Sequence, residues 1–128
     1  MPTPLSAWLQ AHHEQLFLPC IAVAEMAQGI GKLRCAGGAK RADRLDRWLD
    51  GLLAAYEDRI LPLDALAARL AGQLSDTAIA QGCHSGFPDV AIAALAQKAG
   101  LLLLTCNLKH LQPLGVACVD PLIALPQV

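Results

Sequence analysis

The chain alternates short apolar runs with longer stretches whose apolar residues recur at helical spacing. Leu5, Trp8 and Leu9 share one face of a helix expected over residues 5–13. Leu16-Phe17-Leu18, closed by Pro19, reads as a buried strand. Pro19 also suits the first turn of a following helix, where its missing N–H is not needed. That helix is expected over residues 20–31, with Gly29 and Gly31 loosening its end and residues 35–39 forming a loop. Leu45, Trp48, Leu49, Leu52 and Tyr56 then mark the apolar face of an amphipathic helix over 40–56. Arg59-Ile60-Leu61-Pro62 is the next strand. Asp64 is placed to cap a helix running to about residue 81, with Leu66, Leu70 and Leu74 on one side. Residues 82–88 read as a loop, Asp89 as the start of a helix to about Lys98, and Gly100 as its stop. Leu101-Leu102-Leu103-Leu104 is the continuous apolar run of a strand buried on both faces. Thr105-Cys106-Asn107 leads into a short helix ending near Pro113, and residues 116–119 form a last strand before an irregular tail.

Strands separated by helices or helical pairs imply parallel strands joined by helical crossovers. The expected architecture is α/β, a three-layer α/β/α arrangement on a parallel sheet. Sites in such sheets form beyond the carboxyl ends of strands. The segments Pro19 to Glu25 and Thr105 to Asn107 both follow strands, whereas only the fold could bring Asp89 to the same edge.

Composition narrows the class. A length of 128 residues predicts one domain over 1–128, large enough for a core. The 55% hydrophobic fraction is mostly Ala and Leu, which excludes a disordered chain and favours closely packed helices. No apolar stretch approaches the roughly 20 residues of a membrane span. Met1-Pro2-Thr3-Pro4 is neither a signal nor a transit peptide, so the expected location is cytoplasmic, without membrane association. The five cysteines are odd in number and contain no C-x-x-C, as expected of buried, reduced thiols. A net charge of −1 exerts no global pull on nucleic acid. Six of the ten basic residues nevertheless fall between Lys32 and Arg47. They form either a solvated, ion-paired helix face or a local rim for phosphates, for which Lys32, Arg34, Lys40 and Arg41 are the candidates.

The candidate chemistry centres on Glu25 and Asp89. Each is a lone acid in an Ala-rich helical frame, with no Arg or Lys within four residues. A buried carboxylate needs a partner, hydrogen bonds or a cation, so the two point to a shared metal site. The competing readings are a distant Arg partner for Glu25, a helix N-cap role for Asp89 after Pro88, and a capping role for Asn107. Asp64 reads as a cap, and His12-His13 and His110 as surface residues. Cys106 and His110 have a zinc-ligand spacing but sit across an expected strand end. His84 and Ser85 lack the acid and oxyanion context of a hydrolase.

Taken in order, these segments resemble the PIN domain family, specifically its VapC toxin-like group, from about Leu5 to Pro121. The carriers are Leu16-Phe17-Leu18 with the acidic helix through Glu25, the helix of Arg41 to Leu53 with Trp48-Leu49, and Ile60-Leu61-Pro62-Leu63-Asp64. Asp89-Val90-Ala91-Ile92-Ala93-Ala94 followed by Leu103-Leu104-Thr105-Cys106-Asn107 completes the set. Each motif alone is weak, and their order and spacing are fairly specific. The resemblance implies a metal-dependent endoribonuclease in which acids hold Mg²⁺ or Mn²⁺ for attack of water on an RNA phosphodiester. Glu25 and Asp89 would bind the metal, Asn107 would assist through its carbonyl oxygen or a metal-bound water, and Thr105 would hydrogen-bond within the site. It also implies a VapB-like antitoxin partner and homodimerisation through helices.

The departures from the pattern are specific. The family opens with a strand carrying an acid, as in Leu-Asp-Thr-Asn, and this chain has no counterpart. His110 stands where relatives often have Asp. The missing strand would lie centrally, between the 16–18 and 101–105 strands. Those two strands would then pair directly, accept a strand from another chain, or flank a strand encoded upstream of Met1. The chain is accordingly expected to be a truncated or degenerate relative, or one with a misplaced start. The alternative function is a catalytically inactive PIN-like module that binds an antitoxin-type partner or RNA. A third reading is an unrelated α/β domain whose acids are only caps.

Overall fold

The structure is a computed structural model and describes residues 3–126. Six α-helices and four two-residue strands order the described chain: α1 (Pro4–Ala11), β1 (Leu18–Pro19), α2 (Cys20–Cys35), α3 (Ala39–Tyr56), β2 (Ile60–Leu61), α4 (Ala65–Ala80), α5 (Phe87–Ala99), β3 (Leu103–Leu104), α6 (Leu108–Leu111) and β4 (Cys118–Val119). The fold is thus a mostly helical α/β arrangement with parallel strands, and every expected strand is present in shorter form. The expected parallel pairing is present, and no strand stands between the two pairs among the described residues. The strands form two separate parallel pairs, Leu18–Pro19 with Ile60–Leu61 and Leu103–Leu104 with Cys118–Val119. Direct pairing of the 16–18 and 101–105 segments does not occur among the described ladders.

Contacts divide the chain into two compact units. One comprises the segments up to Leu16 and from Leu63 onward, and the other is Phe17–Pro62. In the first unit, Ala71 and Ala78 of α4 pack with Val90, Ala93 and Ala94 of α5, Leu111 of α6 and Leu114. Small side chains let helices approach closely, which is the structural use of the Ala-rich composition. Helix α5 is the most enclosed element, with Val90, Ala91 and residues 93–96 all buried. Gly100 (φ 67°) and Gly115 (φ 77°) take the left-handed conformation on entry to β3 and β4, a region that disfavours residues bearing a Cβ.

Helix α4 begins where expected. Asp64 Oδ1 accepts from the Ala67 N–H at 2.9 Å, and Lys98 Nζ donates to Asp64 Oδ2 at 2.6 Å. The Lys98 ammonium, followed by the Ala67 N–H, holds the Asp64 carboxyl below its ordinary pKa. A depressed folded-state pKa contributes stability above the unfolded carboxylate value of about 3.9, and that contribution disappears as pH falls through the lower folded value. Lys98→Met is therefore expected to melt a few degrees below wild type at neutral pH. The gap should close in strong acid, and thermal melts across pH that show a constant gap would remove the pair from the stability of α4.

The second unit is the α2–α3 hairpin with the β1–β2 pair. Ile30, Ala42 and Leu49 form its buried centre, with Met26, Leu33, Leu45, Leu52 and Leu53 against them. Helix α2 continues to Cys35, beyond the end expected from Gly29 and Gly31. Gly37 (φ 95°) makes the turn, and a Cβ on Gly38 would lie 2.7 Å from Leu33 Cδ1. Across the hairpin, Arg34 donates to Asp43 at 2.7 Å and to Asp46 at 3.1 Å. The two aspartates, Asp43 first, raise the guanidinium pKa. Trp48 departs from its expected place on the apolar face and is 53% exposed. The thiols also depart from uniform burial. All five are free, with Cys35 and Cys106 exposed, while burial raises the pKa of Cys118.

Candidate active site

Glu25 belongs to the second unit and Asp89 to the first. Glu25 lies in the second turn of α2, just beyond the β1 strand end, and is exposed. Asp89 lies in the first turn of α5, half-buried, immediately before the buried run from Val90. Among the described residues neither carboxylate makes an ion pair or hydrogen bond with the protein. A distant Arg partner for Glu25 is thereby corrected, since water solvates this exposed group and no burial cost demands a partner. The capping role of Asp89 is corrected too. Helix α5 begins at Phe87 with Gly86 as its cap, so Asp89 is a first-turn residue favoured by the helix dipole.

The β3 strand end is organised by its own polar groups. The Thr105 N–H donates to Val119 O at 3.0 Å, extending the ladder beyond Leu104. Thr105 Oγ1 accepts from the Asn107 N–H at 3.0 Å, closing the turn into α6. Asn107 occupies the cap position of α6, but its side chain makes no capping hydrogen bond and is exposed. The exposed amide is therefore not consumed by the helix end.

The register Leu104↔Val119 makes Asp120 the neighbour of Thr105 at the carboxyl end of the parallel pair. Sequence reasoning passed over Asp120. Its strand-end position after Cys118-Val119 was the available signal. Its carboxylate accepts from the Leu122 N–H at 2.9 Å, and its carbonyl accepts from the Ile123 and Ala124 N–H groups, so it caps the tail's turn. Ser85 donates to the His110 carbonyl at 3.2 Å, which ties the loop before α5 to α6 and leaves no catalytic Ser/His geometry there. Of the basic candidates, Arg34 is engaged by Asp43 and Asp46, whereas Lys32, Lys40 and Arg41 are exposed.

No group of three or more His, Cys, Asp or Glu side chains able to hold a metal occurs among the described residues. That does not match a closed zinc centre, and Cys106 with His110 carries no such set. It is compatible with Mg²⁺, which keeps several waters and takes one or two carboxylates together with substrate phosphates. Glu25 in the second unit, and Asp89 and Asn107 in the first, each offer oxygen of the type that a hard cation prefers.

A family model for the PIN domain matches residues 3–112. The chain belongs to the PIN domain family. It is 30% identical over 116 residues to VapC ribonuclease Y4jK of Sinorhizobium fredii, an alignment covering 90% of this chain and 81% of that protein. Its fold is similar to that in the crystal structure of FitAcB from Neisseria gonorrhoeae (TM-score 0.82, 28% identity, 95% of this chain and 88% of that one). It is also similar to a structure of FitAB bound to an IR36 DNA fragment (TM-score 0.81, 27% identity, 94% and 85%).

Proposed function

We propose that this PIN domain is an endoribonuclease toxin of a toxin–antitoxin pair, hydrolysing RNA phosphodiester bonds with Mg²⁺ or Mn²⁺. The observation that carries the reading is the match of residues 3–112 to the PIN domain model together with 30% identity to a VapC ribonuclease, and the Glu25 and Asp89 carboxylates are each left open to a cation. A bound divalent ion would supply a water of lowered pKa and charge for the phosphate oxygens. Glu25 and Asp89 would hold that ion. Asn107, whose side chain leaves its helix end uncapped, would offer its carbonyl oxygen or hold a water. Thr105 keeps Asn107 in place through the hydrogen bond to its backbone N–H. Lys32, Lys40 and Arg41 would offset the charge of the RNA backbone.

Kinship with a VapC ribonuclease and with the FitAB complex supports a VapB-like antitoxin as partner. Homodimerisation and a cytoplasmic location belong to the same proposal. No helix of the described residues is long and apolar enough to cross a membrane. The purified protein, free of antitoxin, is expected to cleave single-stranded RNA with Mg²⁺ and to stop in EDTA. A folded protein that leaves RNA intact at any Mg²⁺ or Mn²⁺ concentration would end the enzymatic reading. A second reading, an inactive module that binds partner or RNA, draws on the low count of proposed anionic ligands, Glu25 and Asp89 alone. Retained RNA binding without cleavage would select it.

A further inference from the structure

Helix α3 carries three stripes. Ala42, Leu45, Leu49 and Leu52 face the hairpin core, and Asp43 and Asp46 face Arg34. The remaining face holds Lys40, Arg44 and Arg47 at i, i+4 and i+7, with Arg41 and Trp48 beside them. At 3.6 residues per turn these five fall within about 120° of the circumference and about 12 Å of axis. All five are exposed. None of the four cations makes an ion pair among the described residues, and Asp43 and Asp46 are turned to Arg34. An indole 53% exposed among four cations that make no ion pair is neither a core position nor a solvated ion-pair face.

We propose that this face of α3 is a docking surface for single-stranded nucleic acid, with Trp48 stacking on a base and Lys40, Arg41, Arg44 and Arg47 contacting the flanking phosphates. Stacking platforms set in cationic grooves are how proteins hold single strands without reading sequence. An exposed indole adds nothing to binding a duplex, whose bases are already stacked. Charge complementarity excludes a basic partner, and the aromatic ring distinguishes a nucleic acid strand from a merely acidic peptide. The inference deepens the ribonuclease reading by naming the surface that grips the substrate strand, and it rests on that reading only for the identity of the strand as RNA.

The test is fluorescence anisotropy with a labelled oligouridylate of about twelve nucleotides, a length within the usual site sizes. EDTA is present throughout, so that failure of hydrolysis and failure of this surface are read separately. Trp48→Ala is expected to weaken binding by about tenfold or more, and Trp48→Phe, which keeps a ring, to recover most of it. The triple variant K40Q/R44Q/R47Q is expected to flatten the slope of log K against log salt by about 2, at about 0.7 per phosphate contact on a single strand. Arg69→Gln, an exposed cation on α4 outside this stripe, should leave that slope unchanged. Thermal melts verify that each variant is folded, which these exposed positions permit. Wild-type binding by folded Trp48→Ala and by the triple variant would overturn the proposal. So would equal loss of a duplex of the same length in Trp48→Ala, or loss of an acidic peptide with oligouridylate binding intact.

Discussion

Asp89→Ala is expected to lower RNA hydrolysis by at least about a hundredfold while leaving the fold in place, in line with the roughly 10²–10³ lost when one preorganised charge stabiliser is removed. The size follows from the donor set. Among the described residues no cluster of three or more acid, His or Cys side chains backs up the pair, so losing one carboxylate removes half of the proposed anionic ligands. The folding cost should be small because Asp89 makes no hydrogen bond with the protein. What it contributes to α5 is a first-turn charge near the helix N-terminus, worth about 0.3–1 kcal/mol. Asp64→Ala is the informative control. That carboxylate caps α4 and pairs with Lys98, so its loss should lower the melting temperature and spare hydrolysis. The measurement is initial rate on single-stranded RNA at saturating Mg²⁺, with circular dichroism to confirm folding. Equal rates for wild type and Asp89→Ala would remove Asp89 from the chemistry.

Leu111→Ala is expected to cost about 2–5 kcal/mol of stability, the range for truncating a fully enclosed leucine. That is a large share of the roughly 5–15 kcal/mol that holds a typical domain folded. Leu111 is 2% exposed and packs in one cluster with Ala71, Ala78, Val90, Ala93 and Ala94. Those neighbours are mostly alanines on rigid helices. They have little side chain to swing into the vacated space, which places the loss toward the upper part of the range. The consequence reaches the site. Leu111 closes α6, the short helix that Asn107 begins, so a looser α6 should also loosen the Thr105–Asn107 turn. Chemical denaturation reads the stability. A loss below about 1 kcal/mol would show that the cluster collapses around the gap and that α6 is held by other contacts.

Much of the secondary structure was legible from local rules. Pro19 and Asp64 announced helix starts, Gly100 announced a stop, and the apolar runs at 60–61 and 103–104 became strands. The misses share a cause. Gly29 and Gly31 read as a helix end, yet α2 passes through them because both glycines face open space and the hairpin core holds the helix on either side. Asp89 read as the start of its helix, with a cap as the competing role, because capping residues and first-turn acids look alike in sequence. They differ only in where the preceding backbone turns, here at Gly86. Trp48 read as core because spacing ties it to Leu45 and Leu52. The apolar face of α3 is narrower than that spacing allows, and a single step around the helix carries the indole into solvent.

The candidate site divides along the same line. Glu25, Asp89, Thr105 and Asn107 were chosen for residue type and order, which sequence displays directly. Asp120 was passed over, because its place beside Thr105 is a fact of strand register between segments far apart in the chain. The unpartnered state of the two carboxylates likewise required knowing where each cation goes. Arg34 is taken by Asp43 and Asp46, and Lys98 by Asp64.

By itself the amino-acid order determined the element types, the family and the residues with chemistry to offer, because helix periodicity, caps and breakers act over a few neighbouring positions. Tertiary structure alone decided that the strands form two separate parallel pairs, that Asp43 and Asp46 turn to Arg34 and not to the α3 cations, and that Trp48 faces water. Those outcomes depend on which distant segments pack together, and packing between segments is set by burial and close fit across the fold, not by any local run of residues.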